Sequence, residues 1–259
     1  MADTIAGSLL HAKGCGVQFG GLKALNGFSL TLANGELVGL IGPNGAGKTT
    51  FFNLLTGIYE PSEGEIHFKG RKINGLQPFQ ICRIGMTRTF QNIRLFADLT
   101  VRDNVLVAFH QDIRSSLWDA IVENKKFRQE ETAHREAALQ LLTLFGLDPA
   151  QNELAKNLCY GDQRKLEIVR ALATKPRLLL LDEPAAGMNS TEKHLLIELI
   201  RRVHSQYQLA ILLIEHDMDV VMALCPRILV LDYGEIIAEG TPEEIRKNPK
   251  VIEAYLGKS

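Results

Sequence analysis

The chain has no apolar stretch long enough to cross a bilayer. Its longest runs, such as 209–214, are far shorter than the roughly 20 residues a spanning helix requires. It also lacks any excess of charge: 29 Lys and Arg stand against 30 Asp and Glu, with no block of one sign. Such balance gives no long-range pull on nucleic acid and no polybasic arm, so no nucleic-acid partner is expected. Cysteine is sparse. Cys15, Cys82, Cys159 and Cys225 are widely scattered without C-x-x-C spacing, which suits reduced thiols in a cytosolic chain. The first residues lack a basic start followed by an apolar core, so no secretory signal is expected. Neither an internal repeat nor a low-complexity segment interrupts the 259 residues, enough for one large domain or a domain with an appendage.

What is present is a phosphate-binding pattern. Gly42-Pro43-Asn44-Gly45-Ala46-Gly47-Lys48-Thr49 fits G-x-x-x-x-G-K-S/T in full. Glycines let the backbone curl until successive N–H groups converge on phosphate oxygens. Lys48 can reach the β- and γ-phosphates, and the Thr49 hydroxyl can coordinate Mg²⁺. The flanks agree: 36–41 reads as a buried strand, and Thr50 opens a helical stretch, 50–55, whose N-terminal dipole points at a bound anion. The alternative is a chance glycine-rich turn, against which strand, loop and helix all argue.

A second signal is Leu178-Leu179-Leu180-Leu181-Asp182-Glu183-Pro184. Four leucines predict a strand buried on both faces, with two carboxylates at its C-terminal end. Ligands of open parallel sheets bind beyond the carboxyl ends of the strands. Asp182 is therefore placed to hold Mg²⁺ through its water shell, and Glu183 to orient or deprotonate a water attacking the γ-phosphate. A solvated strand end is the plainer alternative.

Along its length the chain changes character twice. Up to about residue 70, short β patterns alternate with turn signals such as Ala33-Asn34-Gly35-Glu36 and Pro61-Ser62-Glu63-Gly64. From about 76 to 147 helical patterning takes over: 116–145 lacks Pro and Gly and carries Ala138, Leu141, Leu142 and Phe145 at three- and four-residue spacing. Trp118, Phe127 and the leucines of this stretch read as helix packing. From 157 onward helices alternate with buried strands at 178–181, 209–214 and 228–231, which implies a parallel sheet covered on both faces. The segment 242–256 reads as one short closing helix. The expected fold class is α/β, a P-loop NTPase-type parallel sheet core with an N-terminal antiparallel β part and an inserted helical subdomain.

Leu158-Cys159-Tyr160-Gly161-Asp162-Gln163-Arg164, at the start of a helical run, joins the phosphate loop and the acidic strand end to complete a family pattern. With these three segments the chain resembles the ATP-binding subunits of ABC transporters over nearly its whole length. The family's signature usually reads L-S-G-G-Q; Leu158 and Gly161 match it, while Cys159, Tyr160 and Asp162 depart. Gln91, in Arg88-Thr89-Phe90-Gln91-Asn92, sits at the Q-loop position, and His216, after Ile214-Glu215, at the switch-histidine position. Phe19 occupies the place of the aromatic residue that stacks on adenine. Asn189 replaces the aspartate usual in the D-loop. Gly20-Gly21-Leu22-Lys23-Ala24-Leu25, Arg88 through Phe96, the Tyr160-Gly161-Asp162-Gln163-Arg164 form of the signature and the ending Glu253-Ala254-Tyr255-Leu256-Gly257 are similar to the larger ATPase subunit of branched-chain amino acid importers. The same likeness extends to urea and short-chain amide importers.

The resemblance implies a single ABC-type ATP-binding domain over 1–259, with 1–75 and 157–259 as catalytic core and 76–156 as Q-loop and helical subdomain. It implies ATP and Mg²⁺ as cofactors, with Glu183, His216 and Gln91 in catalysis and Thr49, Gln91 and Asp182 toward the metal. Phe19, the loop residues from Gly42 to Thr50, and a partner subunit's Leu158-to-Asp162 segment would surround the nucleotide. Implied partners are a second ATP-binding subunit, two membrane permease subunits and, indirectly, an extracytoplasmic solute-binding protein, with the chain held at the cytoplasmic face of the membrane. Taken singly, Phe19 reads equally well as core, Gln91 as a surface amide, His216 as a structural histidine and Cys159 as a small buried filler. A soluble non-transport ABC ATPase is a further alternative, as is a kinase or GTPase on the same loop. For a GTPase, the guanine-specifying N-K-x-D string is missing: the nearest is Asn124-Lys125-Lys126-Phe127.

Overall fold

Two-residue spacing of apolar side chains folds the start of the chain into an antiparallel sheet. Leu10 and Ala12 of β1 (Ser8–Phe19) pair with Leu32 and Leu30 of β2 (Leu22–Ala33), and all four are buried. The computed structural model describes residues 7–112 and 125–256, which form two units, Met1–Gln91 with Arg177–Ser259, and Asn92–Pro176. In the first unit, β3 (Leu37–Ile41) has every residue buried, and this lack of alternation sends it out of the antiparallel sheet. β4 (Glu63–Phe68) and β5 (Arg71–Lys72) complete that sheet, in the order β2-β1-β4-β5.

β3 lies instead within a six-stranded sheet of order β10-β9-β3-β8-β7-β6. There β6 (Met86–Arg88), β7 (Leu178–Asp182), β8 (Ala210–Ile214) and β9 (Arg227–Asp232) run parallel with it. β10 (Glu235–Gly240) is antiparallel to β9, an edge that the apolar run 228–231 does not announce. The reversal falls at Tyr233-Gly234, both with positive φ (44° and 81°), as a two-residue hairpin requires. Helix α1 (Lys48–Leu55) shares one hydrophobic cluster with both sheets. Its Phe51 meets Phe28 of β2 with ring centroids 4.0 Å apart, and burying each such ring stabilises by about 1.5–3 kcal/mol. Cys15 and Cys225 are buried, and burial pushes both thiols up, Cys15 to about 11, as befits inert reduced side chains.

The remaining helices of this unit are α2 (Pro78–Arg83), α6 (Ser190–Tyr207), α7 (Met218–Leu224), α8 (Pro242–Lys247) and α9 (Pro249–Leu256). The last two correct the single closing helix expected over 242–256. Pro249 has no N–H to continue a helix, and Asn248 before it is extended at φ −72°, ψ 119°. In the second unit stand α3 (Val101–Ala108), α4 (Lys125–Leu144) and α5 (Tyr160–Ala173). Ala138, Leu141, Leu142 and Phe145 are buried, as their spacing predicts. The first part of the expected 116–145 helix, with Trp118, lies outside the described residues. Buried Asn104 of α3 pins the segment before it, accepting from Phe96 N–H at 2.9 Å and donating to the Phe96 and Thr100 carbonyls at 3.0 Å.

Candidate nucleotide site

Because β3, β6, β7 and β8 run parallel, their carboxyl ends meet at one edge of the sheet. From those ends emerge the glycine loop, Thr89-Phe90-Gln91, Asp182-Glu183 and Glu215-His216 respectively. Segments far apart in the chain thus become spatial neighbours through topology alone.

The loop is shaped by glycines that no other residue could replace. Gly42 sits at φ 149°, where a Cβ would lie 1.9 Å from the Leu231 carbonyl oxygen. At Gly47, φ 107°, it would lie 2.6 Å from the Ala24 oxygen. Both obstacles are backbone, so no rotamer change relieves them. Gly47 also opens α1, whose first turn contains no acidic side chain, leaving its positive end to an external anion. Lys48 is 7% exposed, and its ammonium donates to the Gly42 and Pro43 carbonyls at 2.6 and 2.8 Å. Burial pushes its pKa below the usual lysine value, while Glu183 and Asp182 pull it back. Thr49 is exposed and Thr50 half-buried.

Glu183 follows the buried strand in a left-handed conformation, φ 47°. Such a backbone costs a non-glycine residue of order 1–3 kcal/mol and recurs at functional sites. Its N–H donates to the Ile214 carbonyl at 2.9 Å, tying it to the end of β8. Its Oε2 accepts from Gln91 Nε2 at 2.8 Å and lies 3.5 Å from His216 Nδ1. The structure therefore brings Gln91, Glu183 and His216 onto one carboxylate oxygen. The bland readings of a lone surface amide and an isolated structural histidine do not describe this geometry.

Phe19 is 45% exposed at the end of β1, its ring held edge-to-face by Tyr59 at 5.1 Å, so the core alternative does not hold. In the second unit, Leu158-Cys159-Tyr160-Gly161-Asp162 forms the start of α5. Leu158 and Gly161 are buried, and Cys159 is the exposed N-cap residue, with no side-chain capping bond. The buried-filler reading of Cys159 is thereby overturned. Tyr160 is anchored rather than packed inside: its hydroxyl accepts from Arg164 Nη2 at 2.9 Å, with the guanidinium 5.7 Å from its ring centroid. Arg164 in turn pairs with Glu167 at 2.9 Å in a buried ion pair. Asp162 pairs with Lys165 at 2.8 Å. Asn189 caps α6 reciprocally with Glu192, at 3.0 and 2.9 Å, and asparagine serves this purpose as well as aspartate.

Three neighbours of the site carry no site role in the sequence reading. Glu215 is buried, and its carboxylate accepts from the Ala185 and His216 N–H groups at 2.7 and 3.2 Å, fixing the turn after Glu183. Burial raises its pKa, and these backbone donors with Asp217 and His216 hold it back. Burial raises the pKa of Tyr255 in α9, and the Gly42 backbone opposes that shift. A cavity of about 680 Å³ opens beside the loop, lined by Leu22, Asn44, Gly45, Tyr233 and Lys250 among others. Arg88 pairs with Asp182 at 2.6 Å. An adjacent acid in Ile214-Glu215-His216 was the only signal for Glu215, and Tyr255 entered only within the 253–257 segment of the family resemblance, with no site role.

A glycine loop between a buried parallel strand and a helix, with a desolvated lysine and two acids on a nearby strand end, defines a P-loop nucleotide hydrolase. Residues 25–186 match the ABC transporter family, and 235–259 match the branched-chain amino acid ATP-binding cassette transporter family. The chain belongs to the ABC transporter family, as an ATP-hydrolysing ATP-binding subunit. It is 49% identical over 251 residues to the high-affinity branched-chain amino acid transport ATP-binding protein LivG of Salmonella typhimurium, covering 97% of this chain and 98% of that one. BraF of Pseudomonas aeruginosa, of the same description, is 45% identical over 97% of this chain and 98% of its own. The ADP conformation of MJ1267, an ATP-binding cassette of an ABC transporter, superposes with a TM-score of 0.83 at 30% identity, covering 97% and 99% of the two chains. A dimeric post-hydrolysis cassette, MJ0796 bound to ADP and Pi, superposes with a TM-score of 0.75 at 25% identity over 90% of this chain and 98% of that one. Among the described residues, no helix is long and apolar enough to cross a membrane.

Proposed function

We propose that this chain powers the import of branched-chain amino acids, bound at the cytoplasmic face of the membrane to two permease subunits and paired with a second ATP-binding subunit. An extracytoplasmic solute-binding protein delivers the solute. The observation that carries the solute assignment is 45–49% identity, over 97% of the chain, to proteins named for that transport. The whole of 1–259 acts as one ATP-binding domain in this reading.

The residues present suit ATP with Mg²⁺. The glycine-shaped loop of Gly42, Pro43, Asn44, Gly45, Ala46 and Gly47 takes the phosphates on its backbone N–H groups, and Lys48 exchanges its carbonyl partners for the β- and γ-oxygens. Among the described residues no cluster of three or more His, Cys, Asp or Glu could hold a metal. Few protein donors plus substrate phosphates is the arrangement that suits Mg²⁺. Thr49, Asp182 and Gln91 are the residues that would hold it, and when bound it would neutralise charge on the phosphate oxygens. Glu183 takes the proton of the attacking water, with Gln91 and His216 orienting it through its Oε2. Phe19 offers its exposed ring to the adenine. The Leu158-to-Asp162 segment presents the N-terminus of α5 to a partner's γ-phosphate, so binding closes a dimer and hydrolysis releases it.

Lys48→Ala is expected to abolish productive nucleotide binding, and uptake of labelled leucine by cells carrying the whole transporter should fall to background. Thr49→Ala should weaken the Mg²⁺ dependence of binding more than nucleotide binding without metal. Calorimetry with ATP, with and without Mg²⁺, separates the two. Equal affinities in the variants and the parent would remove the site, and undiminished leucine uptake would remove the transport reading. A shared site also requires that the rate per chain rise with protein concentration or with added partner subunit. A concentration-independent rate equal to that of the assembled transporter would contradict it.

A further inference from the structure

Arg88 ends β6 three residues before Gln91, and its side chain is 5% exposed. Its Nη2 donates to Asp182 Oδ2 at 2.6 Å and its Nη1 to Asn53 Oδ1 at 2.7 Å. The guanidinium carbon lies 5.3 Å from the ring centroids of both Phe52 and Phe90. One planar cation thereby links three elements: the end of β7, helix α1 behind the phosphate loop, and the segment leading to Gln91. The Asp182 backbone N–H is tied to the same segment, donating to Thr89 Oγ1 at 3.3 Å.

An ordinary buried ion pair would be a stabilising device of small net worth. This one involves the carboxylate placed at the sheet edge beside the phosphate loop. A carboxylate held at one oxygen cannot rotate freely, so fixing Oδ2 sets the plane in which Oδ1 can take a further ligand. Only a fork of fixed geometry can hold Asp182 and Asn53 together, and only a flat cation can rest between two rings. We propose that Arg88 is a positioning residue for the metal of the nucleotide site, orienting Asp182 toward Mg²⁺ and coupling that orientation to α1 and to the Gln91 segment. The proposal rests on the reading of Asp182 as a Mg²⁺-holding group.

The sign of the effect distinguishes positioning from plain electrostatics. Removing a nearby positive charge by itself would tighten cation binding; removing the orientation weakens it. The test is to titrate free Mg²⁺ into ATP-saturated protein and read both hydrolysis and the thermal midpoint of the ATP-bound protein. With Arg88→Met, half-saturating Mg²⁺ should rise at least about tenfold in both readouts, because the carboxylate loses its fixed plane. The thermal shift given by ATP in the presence of EDTA should stay unchanged, because the phosphate loop is intact. Arg88→Lys restores the charge without the second arm and should fall between parent and Met variant; it decides the question if Arg88→Met does not fold. Unchanged or tighter Mg²⁺ dependence in these variants would overturn the proposal, as would an equal loss of the metal-free ATP shift. Asp182→Asn separates the two levels. If it leaves Mg²⁺ dependence unchanged, the cation reading falls and the Arg88 proposal with it. If it destroys that dependence while the Arg88 variants keep it, the Arg88 proposal alone falls.

Discussion

Replacing Glu183 with Gln is expected to cut steady-state ATP hydrolysis by about 10²–10⁴-fold, the usual contribution of a positioned general base. Nucleotide binding should persist. The amide is isosteric, its oxygen can accept from Gln91 Nε2 as the carboxylate now does at 2.8 Å, and the backbone at φ 47° is no harder for glutamine than for glutamate. What is lost is the proton acceptor, together with the negative charge that lies 3.5 Å from His216 Nδ1. If hydrolysis is what opens an ATP-bridged pair of subunits, the variant should also accumulate as an ATP-stabilised dimer. Phosphate release and size-exclusion chromatography with ATP measure the two effects. Undiminished turnover in the variant would take Glu183 out of the chemistry and leave its strained backbone without a catalytic account.

The phosphate loop and the Asp182-Glu183 strand end were legible because their signals are local, whereas Gln91 and His216 entered only through the family resemblance. A glycine loop needs particular residues at particular spacings, and four consecutive leucines before two acids announce a strand end without reference to the rest of the chain. Arg88 and Tyr255 gave no such signal. Arg88 acts through a contact made only after folding, across 94 positions to Asp182. A lone arginine before a Q-loop looks like any strand end, and only the depth at which its fork is buried distinguishes it. The closing helix was misread for a different reason. Its apolar periodicity runs through 242–256, yet Pro249 interrupts the hydrogen-bond ladder, and periodicity counts side chains rather than N–H groups. The antiparallel edge β10 was missed because Ile236, Ile237 and Ala238 are too few and do not alternate with polar residues, although Ala238 is buried and both isoleucines are half-buried. The break matters for the site, because α9 begins afresh at Pro249 and lines the cavity beside the loop with Lys250, Glu253 and Ala254.

Replacing Cys159 with Arg is expected to reduce hydrolysis in the assembled transporter by at least about 10²-fold, comparable to losing a preorganised donor to a developing charge, while nucleotide binding by the single chain is spared. Cys159 is exposed at the N-cap of α5, so arginine there meets no packed core and the fold should tolerate it. Its bulk would instead stand where the start of α5 has to approach a partner's γ-phosphate. The opposite substitution sharpens the argument. A thiol is a poor hydrogen-bond group, and the N-cap side chain makes no capping bond in this structure. Serine at 159 could accept from an N–H in the first turn of α5, adding about 0.5–2 kcal/mol of helix stability, and donate to the phosphate at the same time. Cys159→Ser should therefore keep activity within about tenfold of the parent and move it upward, since in the proposed shared site the backbone donors near Gly161 and the helix dipole would serve without the side chain. Thermal midpoints of both variants check that the fold is intact, and ATPase rates of the assembled transporter give the answer. Normal hydrolysis by Cys159→Arg in that complex would require the start of α5 to be given up as a phosphate-binding surface, and with it the shared site between two subunits.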